Sequence, residues 1–217
     1  MTLEEARASL ESGDLERARE GLQRAIEADP NDSSALVDLG YLALGAGNTD
    51  DAAELFRQAL EREPGNIDAL RAISTIHGRS GRSEDAFDAA SAVAEAQPND
   101  PLAVLELAEL ALDMGRLDEA SSAFQRLRSV DDDPSHEVYA FHGLIEVELR
   151  REDWRRALDL AVDATRVDRA GRTTDILAYV VAQVFGQAER EVPERSQVES
   201  ALARSRDEHR RLHLEAW

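Results

Sequence analysis

The chain of 217 residues carries 45 acidic and 25 basic side chains, a formal net charge of -20, with 42% hydrophobic and only 5% aromatic residues. It contains no cysteine, and all 25 basic residues are arginine; disulfides, thiolate nucleophiles, cysteine-held zinc, the phosphate-loop lysine and Schiff-base chemistry are therefore excluded. The charge opposes binding to nucleic acid and anionic lipid and favours basic partners.

The beginning, "MTLEEARASLE", has early acids and no apolar segment, so it does not read as a secretory signal. The longest apolar run, Ile176 to Ala182, is far shorter than the roughly 20 residues of a membrane span. No membrane insertion and a cytoplasmic location are expected. Lysine depletion with acid excess suggests a prokaryotic chain, from either a high-GC bacterium or a salt-adapted cytoplasm, and compositional drift explains it equally well. The charge is uneven: acids outnumber arginines 15 to 6 over residues 1–66 and again over 67–137, but only 15 to 13 over 138–217.

In chain order, Gly13, Gly47, Gly81 and Gly115 recur every 34 residues. Ala18, Ala52, Ala86 and Ala120 keep the same interval, as do Pro30, Pro64 and Pro98, with Asp132 in the fourth proline position. Apolar residues at three- and four-residue steps lie on both sides of each glycine, for example Leu36, Leu39 and Ala43 before Gly47 and Ala52, Phe56, Ala59 and Leu60 after it. That spacing predicts a helix, a turn at glycine, a second helix and a stop near proline. Neither helix buries its apolar stripe alone, so the units must stack.

A fifth unit is offset. Ala157 follows Ala120 by 37 residues, which places a three-residue insertion in "DDDPSHE", residues 131–137, read as a solvated connector. This unit runs through Phe141, Leu144, Trp154, Ala157 and Ala161 and lacks both the turn glycine and the closing proline. Thr174 to Gln187 is apolar on most sides and predicts a helix buried on two faces. A final helix after Pro193 opens with Ser196 and Glu199 spaced as a capping box and reads as a polar terminal cap.

These residues resemble the tetratricopeptide repeat family. The second unit matches best, through Leu36, Leu39-Gly40, Ala43, Ala52, Phe56 and Pro64; the fourth follows with Val104, Leu107-Ala108, Ala111, Ala120 and Phe124. The third departs at His77, where the family usually places a core aromatic, so His77 reads as a packed histidine with one satisfied nitrogen. The resemblance implies an all-α, right-handed superhelical solenoid of about five helix pairs, at approximately 1–32, 33–66, 67–100, 101–134 and 138–171. Residues 172–217 would be capping helices of the same domain.

The resemblance also implies a non-catalytic scaffold that takes a partner segment on the concave surface lined by the first helix of each unit. By position, the lining includes Leu3, Arg7 and Leu10; Val37, Tyr41 and Leu44; Arg71, Thr75 and Arg79; Leu105, Glu109 and Leu112; and His142, Glu146 and Arg150. Val37, Leu44, Leu105 and Leu112 suggest a partner with aliphatic anchors, basic overall, unless these residues pack between repeats. Family members that clamp a C-terminal carboxylate use groove lysines and asparagines, which are replaced here by Val37, Asp38 and Tyr41. Arg71 and Arg79 remain able to hold an acidic side chain.

The alternative is a self-assembling structural subunit or assembly chaperone, such as a homodimer, that joins through the C-terminal helices, with Ile176, Val181 and Phe185 as the candidate contacts. Other constellations are weaker. Gly40 and Gly45 mimic half a phosphate loop, but no strand precedes them and Ala46 and Gly47 stand where lysine and a hydroxyl residue belong. His209 and His213 share a helix face four residues apart, too few ligands for a metal site. His136 in the acidic insert lacks the periodic ligands of a calcium loop. Neither a cofactor nor a metal is expected.

Overall fold

Short polar side chains start the helices and glycines in left-handed backbone end the first helix of most pairs. The computed structural model describes residues 2–130, 133–168, 173 and 176–180. Among them lie ten helices with defined bounds, further helical residues at 173 and 176–180, and no strand. The ten are α1 (Leu3–Glu11), α2 (Leu15–Ala28), α3 (Ser34–Gly45), α4 (Thr49–Arg62), α5 (Ile67–Arg79), α6 (Ser83–Ala96), α7 (Pro101–Asp113), α8 (Leu117–Val130), α9 (Pro134–Arg150) and α10 (Trp154–Val167). The fold is all-α, and consecutive helices pack in pairs. The chain divides into two compact units, Met1–Ala96 and Gln97–Trp217.

In the first unit, α1 opens with a full capping box: Glu5 N–H donates to the Thr2 hydroxyl at 3.2 Å and Thr2 N–H to the Glu5 carboxylate at 2.8 Å. Asp14 and Asn66 cap α2 and α5 in the simpler way. Gly13, Gly47 and Gly81 have φ of 79°, 80° and 75°, the left-handed region that costs other L-residues strain. The residue after each closes a wide turn, as Asn48 N–H does onto the Ala43 carbonyl at 2.9 Å.

Packing explains the alanine register. Ala18, Ala52 and Ala86 are completely buried because the second helix of each pair crosses its neighbours there at close range. Phe56 is the largest side chain in this core, and it fits only because Gly40 faces it: a Cβ at residue 40 would lie 2.8 Å from the ring. Arg62 ties adjacent pairs together by donating to the Pro30 carbonyl.

The second unit repeats this plan with differences. Asp100 and Asp133 cap α7 and α9, each with proline as the first helical residue. The expected connector at 131–137 is corrected here: from Asp133 onward it is the cap and first turn of α9. The extra residues lengthen that helix to 17 residues against 13 in α7, because Asp133 accepts from Ser135 N–H at 2.8 Å and Pro134 fits the first turn. Ala120 and Ala157 are again fully buried. Ile176, Tyr179 and Val180 are buried against Phe141, Ile145, Ala157 and Ala161, Leu177 is half-buried and Ala178 is exposed. Thr174 to Gln187 otherwise lies outside the described residues, as do the final helix and its capping box.

The fifth turn has no glycine, and Glu152 occupies the left-handed position with φ of 62°. Asp153 N–H still closes onto the Glu148 carbonyl at 2.9 Å. Left-handed backbone costs a non-glycine residue about 1–2 kcal/mol, and glycine's greater unfolded-state freedom offsets about 0.5–1. Glu152→Gly is therefore expected to raise stability by about 0.5–1 kcal/mol, read as a higher urea midpoint at unchanged slope.

Candidate functional site

In the first unit, the candidate residues lie on the first helices of the pairs and differ in exposure. Arg7 Nε donates to Asp38 at 2.6 Å, linking α1 to α3. Asp38 strengthens the Arg7 proton's hold through hydrogen bond and charge, against a smaller desolvation effect. Val37 is buried and Leu44 half-buried, both against the Phe56 core. Tyr41 is exposed at 39%, yet its ring meets Phe56 edge-on at 5.1 Å and its hydroxyl donates to the Asp68 carbonyl at 3.2 Å. Partial burial, with the Asp68 charge, pushes the phenol's pKa up, so it stays a neutral donor.

Along α5, Arg71 is half-buried, while Thr75 and Arg79 are exposed; the Thr75 hydroxyl donates to the Arg71 carbonyl at 3.0 Å. The structure thus brings Tyr41 of α3 and the start of α5 together across adjacent repeats.

The second unit places its candidates differently. Leu105, Glu109, Leu112 and His142 are all buried, and the last three take part in local polar contacts. Tyr139 donates its hydroxyl to the Glu109 carboxylate, and Arg150 donates to the Leu112 carbonyl. His142 Nε2 lies 3.0 Å from the Thr173 hydroxyl, whose proton is committed to Asp168 at 2.8 Å. That commitment makes Nε2 the donor and fixes the tautomer at this nitrogen. Glu146 stays half-exposed, paired with Arg150 at 2.6 Å. These side chains hold α7, α9 and the following segment together and leave little surface to a partner.

Ile176 is likewise buried in its own chain, and Val181 and Phe185 lie outside the described residues. His209 and His213 do too. Among the described residues no three His, Cys, Asp or Glu side chains gather as a metal site, and no helix is long and apolar enough to cross a membrane.

At His77 the buried Nδ1 has no hydrogen bond. Desolvation, then Arg82, lower its pKa, with Asp85 opposing. The unfolded chain therefore takes up this proton first as pH falls, so the stabilisation is complete above the ordinary imidazole value near 6.5 and is lost progressively below it. The expected result is a smaller drop in urea stability between pH 7.5 and 5.5 for His77→Phe than for wild type.

Sequence reasoning missed Gly143 and Glu148. The first presses against the Phe124 ring and the second is a buried carboxylate held by two arginines. Glu148 was detectable in principle, since it falls where the second and fourth units carry Ala43 and Ala111.

The geometry defines an α-helical repeat protein, and comparison identifies which kind. The description "Tetratricopeptide repeat" matches residues 3–67 and again residues 79–145, well over half the chain together. The chain belongs to the tetratricopeptide repeat family. Among solved structures, MamA protein is 18% identical over 76% of this chain and 89% of its own, with a TM-score of 0.62. A MamA fragment from Desulfovibrio magneticus RS-1 is 21% identical over 76% and 92%, with a TM-score of 0.59. YrrB, described as a TPR protein with an unusual peptide-binding site, is 23% identical over 75% and 82%, with a TM-score of 0.63. At these identities the likeness establishes the fold. No curated protein matches.

Proposed function

We propose that this protein is a non-catalytic interaction scaffold that receives a partner segment on the α3–α5 face of its first unit, centred on Tyr41. The carrying observation is that Tyr41 is both exposed and fixed, by Phe56 beneath and by the Asp68 carbonyl beside it. A pre-positioned aromatic loses little freedom on binding, the property of interface anchors. Leu44 adds an aliphatic contact, and Arg71, Thr75 and Arg79 supply polar contacts along the adjoining helix. Membership of the tetratricopeptide family supports this reading.

The expected partner carries aliphatic anchors and net positive charge, because a chain of charge -20 steers basic segments toward itself. The test is affinity of a partner recovered from native cells. Tyr41→Ala is expected to weaken binding by about 2 kcal/mol, roughly thirtyfold, with helical circular dichroism unchanged. Binding equal to wild type by Tyr41→Ala and Arg71→Glu together rejects this face.

A further inference from the structure

A second concave surface of the first unit lies apart from the Tyr41 face. Leu15 of α2, Leu39 and Leu42 of α3 and Leu55 of α4 wall a cleft of about 310 Å³ that opens at the helix-turn edge. Leu15 stands 54% exposed beside it, whereas the apolar residues at the same repeat position in the second unit, Leu117 and Trp154, are half-buried. Gly45 lies on the cleft's border, and nothing in the fold requires a glycine there. Its φ is not positive, and an added Cβ would meet no atom within 4 Å. Glycine in helical backbone is destabilising relative to alanine. The corresponding position in the other four repeats carries a charged side chain, Glu11, Arg79, Asp113 or Arg150. The repeat without a side chain at this point has a leucine-walled cleft open beside it.

The rim decides the occupant. Glu16 is neutralised by Arg19 at 2.5 Å, while Asp51, next to the exposed Asp50, leaves the opening negative. A second copy of a chain with charge -20 is repelled from such a rim, and a neutral apolar molecule makes no use of it. We propose that this cleft docks a partner polypeptide that inserts an aliphatic side chain among Leu15, Leu42 and Leu55 and sets a neighbouring arginine or lysine against Asp51. Tyr41, Leu44 and Arg71 do not line the cleft, so this site stands or falls separately from the α3–α5 face.

The experiment selects random dodecapeptides, displayed on phage, against the full-length protein and measures the selected peptides on variants. Selected peptides are expected to share an aliphatic residue with arginine or lysine close by. They are expected to bind Gly45→Arg and Asp51→Arg at least about tenfold more weakly, and Tyr41→Ala as wild type. The space around Gly45 lets the arginine variant fold, which circular dichroism checks. The proposal is overturned if no peptide is selected, if the peptides lack the aliphatic-basic pair, or if Gly45→Arg binds them equally. Loss with Tyr41→Ala moves the peptides to the other face and also overturns it. A wild-type dimer in sedimentation that Gly45→Arg abolishes assigns the cleft to a second copy and rejects the basic partner.

Discussion

Gly143→Ala is expected to destabilise the wild-type protein by about 1–3 kcal/mol and to stabilise a Phe124→Ala variant, a reversal of sign caused by one ring. Phe124 is 1% exposed, and its ring lies so close to Gly143 that a methyl group there would enter the ring's contact distance. The ring is also held from the side by Tyr139, with centroids 6.4 Å apart, so it has little room to yield. In an unconstrained helix the same substitution is favourable by about 1 kcal/mol through helix propensity. Overlap outweighs propensity only while the ring is present. Phe124→Ala alone is expected to cost about 3–5 kcal/mol, a large share of the typical 5–15 kcal/mol of a domain. In the emptied site the added methyl fills space and regains its propensity. Urea unfolding of the four proteins in this cycle is the measurement. Gly143→Ala with wild-type stability or better, or a cycle that adds without coupling, shows that the ring moves aside.

The same pair shows what a sequence discloses. The glycines at 34-residue spacing declare a left-handed turn because few other residues adopt that backbone readily, and the buried alanines declare close helix crossings because nothing larger fits. Gly40 is legible by the same logic: it holds the small position of its repeat and faces Phe56 of its own pair. Phe124 sits at the equivalent repeat position, yet it packs on Gly143 of the next pair, where its own repeat offers Ala108. That contact crosses into the next pair, which the register of a single repeat does not name. Burial of the lining was illegible for a related reason. Helix periodicity tells which residues share a face, but what covers that face is decided by distant segments. In α3 the buried residues are Ala35, Leu36, Val37 and Gly40, which leaves Tyr41 in solvent. In α9 ten residues are buried, His142 and Glu148 among them, because α8, α10 and the segment with Thr173 and Ile176 pack around it.

Arg151→Ala is expected to cost about 3 kcal/mol, more than Glu148→Ala, although the two residues form one ion pair. The Glu148 side chain is 4% exposed and accepts from Arg151 at 2.9 Å, with Arg156 further off at 3.4 Å. A carboxylate taken out of water depends on these partners, and Arg156, at 62% exposure, is too well screened to hold it alone. Removing Arg151 leaves the charge buried and poorly compensated. Removing Glu148 instead takes the charge away and puts alanine where Ala43 and Ala111 stand in other repeats; the loss there is confined to a small cavity and an arginine that keeps the exposed Asp118 as its partner. Arg156→Ala, on the exposed side, is expected to change stability by no more than about 1 kcal/mol. The double variant Glu148→Ala with Arg151→Ala should be no less stable than Glu148→Ala by itself, since the arginine then has no buried charge to serve. Equal losses from Glu148→Ala and Arg151→Ala, or a double variant as unstable as the two losses added, would mean that each side chain contributes through its own packing and that the buried charge is not what makes Arg151 necessary.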